Sequence, residues 1–160
     1  MTFMADLDGA AKPVATGAAS PRPEHSGAGH QPLVRIGGDQ LQAGTAQSPG
    51  MQRLEAISGK RVGAEHIWMG RTHVAPGAKS ADHHHGPSET AIHVVSGHPV
   101  FVFLDEGEEV RVETQPGDFV WVPPYTPHRE ENPDTENEAV VIIARSTQEA
   151  IVVNLPGLSP

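Results

Sequence analysis

The residues able to do chemistry crowd into two short stretches of this chain. The first is 83-HHHGPSE-89. On an extended backbone successive side chains alternate, so His83 and His85 share a face while His84 points the other way. At ~3.3 Å per residue their Cα atoms stand ~6.6 Å apart, and imidazoles so placed converge on one ion with bonds of ~2.0–2.1 Å. Gly86 and Pro87 permit a local irregularity that returns Glu89 to the same side. Two imidazoles and a carboxylate still leave a divalent ion short of a ligand. His128 is the candidate, because in 116-PGDFVWVPPYTPHREEN-132 it follows a strand-like run and a Pro-rich turn that a neighbouring strand could present to the same interior. The plain alternative is a polar strand end and an unrelated surface histidine, and spacing alone leaves both open.

Other residues bear on such a site. Alternation counted from Glu89 puts His93 on the ligand face, where it orients a ligand or touches substrate; a satisfied, half-buried histidine is the simpler reading. Trp68, Phe101, Phe103, Phe119 and Trp121 read as core, with one tryptophan available to line a ligand cavity. Arg111, Arg129 and Arg145 read as surface charges, although any that pointed inward would clamp a carboxylate or phosphate through its planar fork of donors. The run 130-EENPDTENE-138 reads as a solvated acidic loop and Asn132 as a structural residue.

Short strands must do the positioning. The apolar runs 33-LVRI-36, 66-HIWMG-70, 91-AIHVV-95, 99-PVFVFL-104, 109-EVRVE-113, 119-FVWV-122, 139-AVVIIA-144 and 151-IVV-153 are rich in Val, Ile and aromatics, which suit a pleated, half-buried surface. The break 105-DEGEE-109 reads as a hairpin loop and 115-QPGD-118 as a tight turn. With 17 Gly and 15 Pro, long helices are excluded; only 46-AQSPGMQRLEAIS-58 hints at one. An all-β sandwich or barrel follows. Residues 1–30, nearly devoid of large apolar side chains, read as a disordered tail before a single domain at 31–156. The chain has no cysteine, which removes disulfides and thiolate metal sites. A net charge of -9 argues against nucleic acid as a partner. With neither a signal peptide pattern nor an apolar membrane span, the expected setting is the cytoplasm, away from membranes.

The two stretches resemble the two motifs of the cupin superfamily. Gly77, His83, His85, Glu89 and Gly97 match G-x5-H-x-H-x3/4-E-x6-G, except that seven residues rather than six separate Glu89 from Gly97. Gly117, Pro123, His128 and Asn132 match G-x5-P-x-G-x2-H-x3-N, with Tyr125 in place of the central glycine, which suggests a bulkier turn at the barrel mouth. More narrowly, 83-HHHGPSETAIHVVSG-97, 117-GDFVWVPPYTPH-128 and 148-QEAIVVNL-155 resemble small single-domain bacterial cupins labelled mannose-6-phosphate isomerase-like.

The resemblance implies a cupin jelly-roll barrel (a double-stranded β-helix) that holds one divalent metal ion through His83, His85, Glu89 and His128. It favours iron or manganese, while the donor set also accepts zinc, nickel or copper. His93, Tyr125 and Trp121 are the further candidates for ligand or substrate contact. The expected function is a metal-dependent enzyme acting on a small polar molecule, with dioxygenase, isomerase and lyase chemistry all open. The alternative is a non-catalytic binding or sensing module. A homodimer is expected, with residues 33–36 pairing at a sheet edge of the same or a partner subunit.

Overall fold

Alternating β-branched and polar residues set up strands with one apolar face, and two such faces close on each other in the computed structural model. It describes residues 31–45, 47–148 and 151–159; the tail assigned to residues 1–30 lies outside them. The strands are β1 (Met51–Ile57), β2 (Trp68–Val74), β3 (His83–His84), β4 (Thr90–Ser96), β5 (Val100–Asp105), β6 (Glu108–Glu113), β7 (Phe119–Val122), β8 (His128–Glu131), β9 (Ala139–Arg145) and β10 (Val153–Asn154). One antiparallel sheet runs β1-β2-β9-β4-β7 and the other β10-β3-β8-β5-β6. This is an all-β jelly roll.

The segment with a helical hint folds instead as β1, with Met51 and Arg53 buried and Gln52 outward. Among the described residues, helix is confined to the single turn α1 (Gly59–Val62), whose N-cap Ser58 accepts the Arg61 N–H. Pro49 and Gly50 precede β1 in a turn and leave a helix no room to start. Residues 33–36 form no strand among the described residues, and Leu33 and Val34 are exposed. Both expected turns form. Glu106 and Gly107 have φ of 49° and 88°, the paired positive values of a tight β5–β6 hairpin, and Gly117 has φ of 99° behind Pro116.

The apolar interior is built by Trp68, Ile92, Val94, Val122, Val141 and Ile143 of the first sheet against Phe101 of the second. Each such buried side chain stabilises the fold by roughly 1.5–3 kcal/mol, which offsets the cost of the polar half of the same interior. Trp68 fits because position 70 is glycine: a Cβ there would stand 2.6 Å from the indole edge and 2.6 Å from the Leu54 carbonyl. Outside the second sheet, Leu158 packs on Val100 and Val102, so barrel packing reaches past residue 156.

Two aromatics expected in the core lie on the outer face of the first sheet. Phe119 and Trp121 are 78% and 63% exposed, since the inward positions of β7 belong to Val120 and Val122, opposite Ile92 and Thr90.

Candidate metal centre

Strand β3 lies beside β8 with His83 directly across from His128. Along β8 the side chains at 128 and 130 share the inner face, because the strand period is two, and both residues are buried. The result is a cluster of His83, His85, His128 and Glu130 whose donor atoms all lie within 4.8 Å of one another. Bonds of ~2.1 Å set the largest donor separation at ~4.2 Å, so an ion would draw the cluster in by a few tenths of an ångström.

Each imidazole is held in the form a metal needs. Nδ1 of His83 donates to the Ala81 carbonyl at 2.8 Å, Nδ1 of His85 to that of Ile151 at 2.9 Å, and Nδ1 of His128 to that of Thr126 at 2.9 Å. A carbonyl can only accept, so the proton sits on Nδ1 and the Nε2 lone pair faces inward. All three Nε2 atoms are buried without a hydrogen-bond partner. Burial disfavours the imidazolium of His85, and the charges of Arg145 and His128 reinforce this, pushing its pKa down to about 2. Burial likewise lowers that of His83, with His128 next in weight. Three orphaned, inward-facing lone pairs beside a carboxylate fit a divalent cation.

The carboxylate is Glu130 and not Glu89. Gly86, with φ of 55°, breaks the strand after His85, and regular alternation resumes only at Thr90, which faces inward and is fully buried. Glu89 therefore points outward and is exposed; its backbone bonds to Ser146. Thr90 occupies the motif's other glutamate position, five residues beyond His85, and brings a hydroxyl in place of a carboxylate. Glu130, 4% exposed, was hidden in a run that reads as acidic loop, although the H-x-E spacing at 128–130 on a strand is a direct signal for it.

The remaining candidates stand elsewhere. His93 is four residues from Glu89 and shares its outward face, where its ring stacks on Phe119 at 4.4 Å. Trp121 is on that outer face too. Tyr125 is exposed in the turn before β8, in the left-handed region at φ 59° that the motif reserves for glycine. Its N–H donates to the Gly86 carbonyl, tying the loop after His85 to the loop before His128. His84 faces away from the cluster, half-buried, with its ring 5.8 Å from that of Tyr125. Asn132 is structural: its amide donates to the carbonyls of Val74, Ala75 and Asn137.

Two arginines expected at the surface are buried. Arg129, on the outer face of β8, makes a two-pronged pair with Glu109 and bonds Glu131 at 2.7 Å. Burial alone would raise the pKa of Glu131, but hydrogen bonds from Arg129, Arg111 and Lys79 outweigh it and hold the group at about 2. This network pins β8 with His128 and Glu130 inward. Arg145 lies inside the barrel and is 1% exposed. Burial, then the charge of Arg53, lower its pKa to about 10, partly opposed by Glu130, so it stays cationic at neutral pH.

Comparison with known proteins agrees with this architecture. Residues 70–144 match the family model described as "Cupin domain". No curated protein matches in sequence. Among solved structures, the polyketide cyclase RemF from Streptomyces resistomycificus is similar with a TM-score of 0.63 and 20% identity, over 79% of this chain and 87% of that one. The Lactobacillus farciminis oxalate decarboxylase formate complex gives 0.61 and 20%, over 73% of this chain, which spans about a third (34%) of that longer one. Peruvianin-I, a cysteine peptidase from Thevetia peruviana latex, gives 0.63 and 17%, over 79% and 78%. At these identities the likeness is one of fold. Residues 70–144, just under half of the chain, match the cupin domain model, and the barrel has the cupin jelly-roll fold, with three histidines and a glutamate gathered inside it.

Proposed function

We propose that the barrel binds one divalent metal ion through His83, His85, His128 and Glu130, and serves a metal-dependent reaction on a small polar molecule held in its interior. The observation that carries this reading is the set of three buried Nε2 atoms without partners, each aimed inward by a carbonyl on the opposite ring nitrogen. Unpaired buried polar atoms are costly, and a fold that orients three of them onto one point has a use for them. Iron or manganese lead by family resemblance, with zinc, nickel and copper compatible with the donors. The ion would supply Lewis acidity toward a substrate oxygen. The chain's own part is to hold the imidazoles neutral, to place one negative charge through Glu130, and to exclude water with Trp68, Ile92, Phe101 and Val122.

A non-catalytic binding module is the second reading, and one observation favours it. Among the described residues, the only buried imidazoles and carboxylate are the four members of the cluster, so no separate general base stands ready. The same lack weighs against sugar-phosphate isomerisation, the chemistry suggested by the mannose-6-phosphate isomerase-like label. Elemental analysis of the purified protein tests the metal assignment. Wild type is expected to hold one ion per chain, while His83→Ala and His128→Ala retain the β-sheet circular dichroism signal and lose the ion; equal metal content in all three would refute the site.

The reading places the protein in the cytoplasm as a homodimer. Phe119 and Trp121 on the outer sheet face, and Leu33 and Val34 in no element of their own, are exposed apolar side chains that a second copy would cover. Light scattering is expected to give twice the 17.0 kDa chain mass, and a monomer mass at micromolar concentration would reject the dimer.

A further inference from the structure

The inner face of the first sheet carries one group that neither the fold nor the metal cluster uses. Arg145 ends β9 and stands between Trp68 of β2 and Thr90 of β4 in register. It is 1% exposed, and none of Nε, Nη1 and Nη2 has a hydrogen-bond partner. Its guanidinium carbon lies 5.5 Å from the Trp68 ring centroid. That contact favours the cation, yet a ring face offers nothing to the N–H groups in the guanidinium plane. The Thr90 hydroxyl beside it is buried and unpartnered as well. Burying a charge without hydrogen bonds is among the costliest things a fold can do.

We propose that Arg145, with Thr90, is the clamp for a small carboxylate that lies between the first sheet and the metal cluster. This deepens the proposed function by naming its ligand class, and it rests on the barrel interior being the ligand site. Three features support it. The charge of Arg145 reaches the cluster, since it is felt by both His85 and Glu130. The interior holds two guanidinium groups, Arg53 and Arg145, against the single carboxylate of Glu130, and a divalent ion would add further positive charge for an anion to balance. The donors also suit a planar, two-oxygen group. A guanidinium fork matches a carboxylate edge to edge, whereas phosphate sites draw on clusters of backbone N–H groups, and on this wall of the barrel those are spent in the β2–β9–β4 ladders.

The test is isothermal titration of acetate, oxalate and inorganic phosphate into the full chain, metal-loaded and chelator-stripped. Wild type is expected to bind a carboxylate, and Arg145→Met to bind it at least ~30-fold more weakly with metal content unchanged. Because Arg145 has no hydrogen bond to lose and its buried charge is costly, the stripped Arg145→Met protein is expected to melt at a higher temperature than wild type. Unchanged carboxylate affinity, a lowered melting temperature, or binding of phosphate in preference to both carboxylates would each overturn the assignment. Should Arg145→Met fail to fold, Arg145→Lys and Thr90→Val take its place, and wild-type affinity in both would overturn it. A wild type that holds no ion defeats the metal reading alone; Arg145-dependent carboxylate binding by the stripped protein then still supports the clamp, and its absence removes it.

Discussion

Glu130→Gln is expected to lower the affinity for a divalent ion by about 100-fold or more, while Glu89→Gln leaves it within about twofold. The first figure exceeds the ~10–100-fold cost of removing a group that only supports a ligand, because Glu130 is the single carboxylate among the four donors. The second follows from exposure: a charge in water away from the cluster is screened. Glutamine preserves the size of residue 130, and strand β8 does not depend on the carboxylate for its place. The Glu130 N–H donates to Ser80 Oγ at 2.9 Å and its carbonyl accepts the Ser80 N–H at 2.9 Å, whatever the side chain. Competition against a chromophoric chelator reads both variants on one scale. If Glu89→Gln releases the ion and Glu130→Gln keeps it, the donor set drawn from the structure is wrong and the motif's first glutamate position is right.

That contrast marks where sequence reasoning holds and where it stops. Period-two counting works inside a strand, so His83 and His85 face in, His84 faces out, and His128 predicts Glu130. It fails across 86–89, where the positive φ of Gly86 resets the phase before β4 begins at Thr90. Counting on from Glu89 puts His93 on Glu89's own face, and that relation is correct; its anchor is on the outer side of the sheet. The seven-residue gap from Glu89 to Gly97, one longer than the motif, is the sequence trace of this shift. Phe119 and Trp121 mislead for a related reason. Alternation marks two faces but does not say which is interior, and here the smaller Val120 and Val122 take the inside. Arg145 is illegible in sequence, because a charged residue ending an apolar strand reads as its exposed boundary. Only register shows it standing level with Trp68 and Thr90.

The chelator-stripped barrel is expected to lose stability as the pH falls below about 6.5, well before its carboxylates titrate. Burial depresses the pKa of His85 to about 2 and moves that of His83 in the same direction, whereas in the unfolded chain both stand near 6.5. Above that value neither state binds these protons and the histidines contribute no pH dependence. Below it the unfolded chain binds them and the native barrel does not, so stability rises with pH and falls on acidification. For His85 the slope approaches one proton, ~1.4 kcal/mol per pH unit, or roughly 2–3 kcal/mol between pH 6.5 and 4.5, with His83 adding in the same sense. Against a typical total of about 5–15 kcal/mol for a small domain, that is a large share. Glu131 acts in a lower window: its stabilisation is complete above its ordinary 4.5 and is lost as the pH falls toward about 2, so the two effects separate. Urea titrations from pH 7.5 to 4.5 on wild type and His85→Leu measure the histidine share, and the variant is expected to show the shallower slope. A bound ion would shift the whole curve upward by mass action. Stability that stays level between pH 6.5 and 5 in the stripped wild type would mean that the imidazoles accept protons in the folded barrel, and that the interior holding them is wet and not closed.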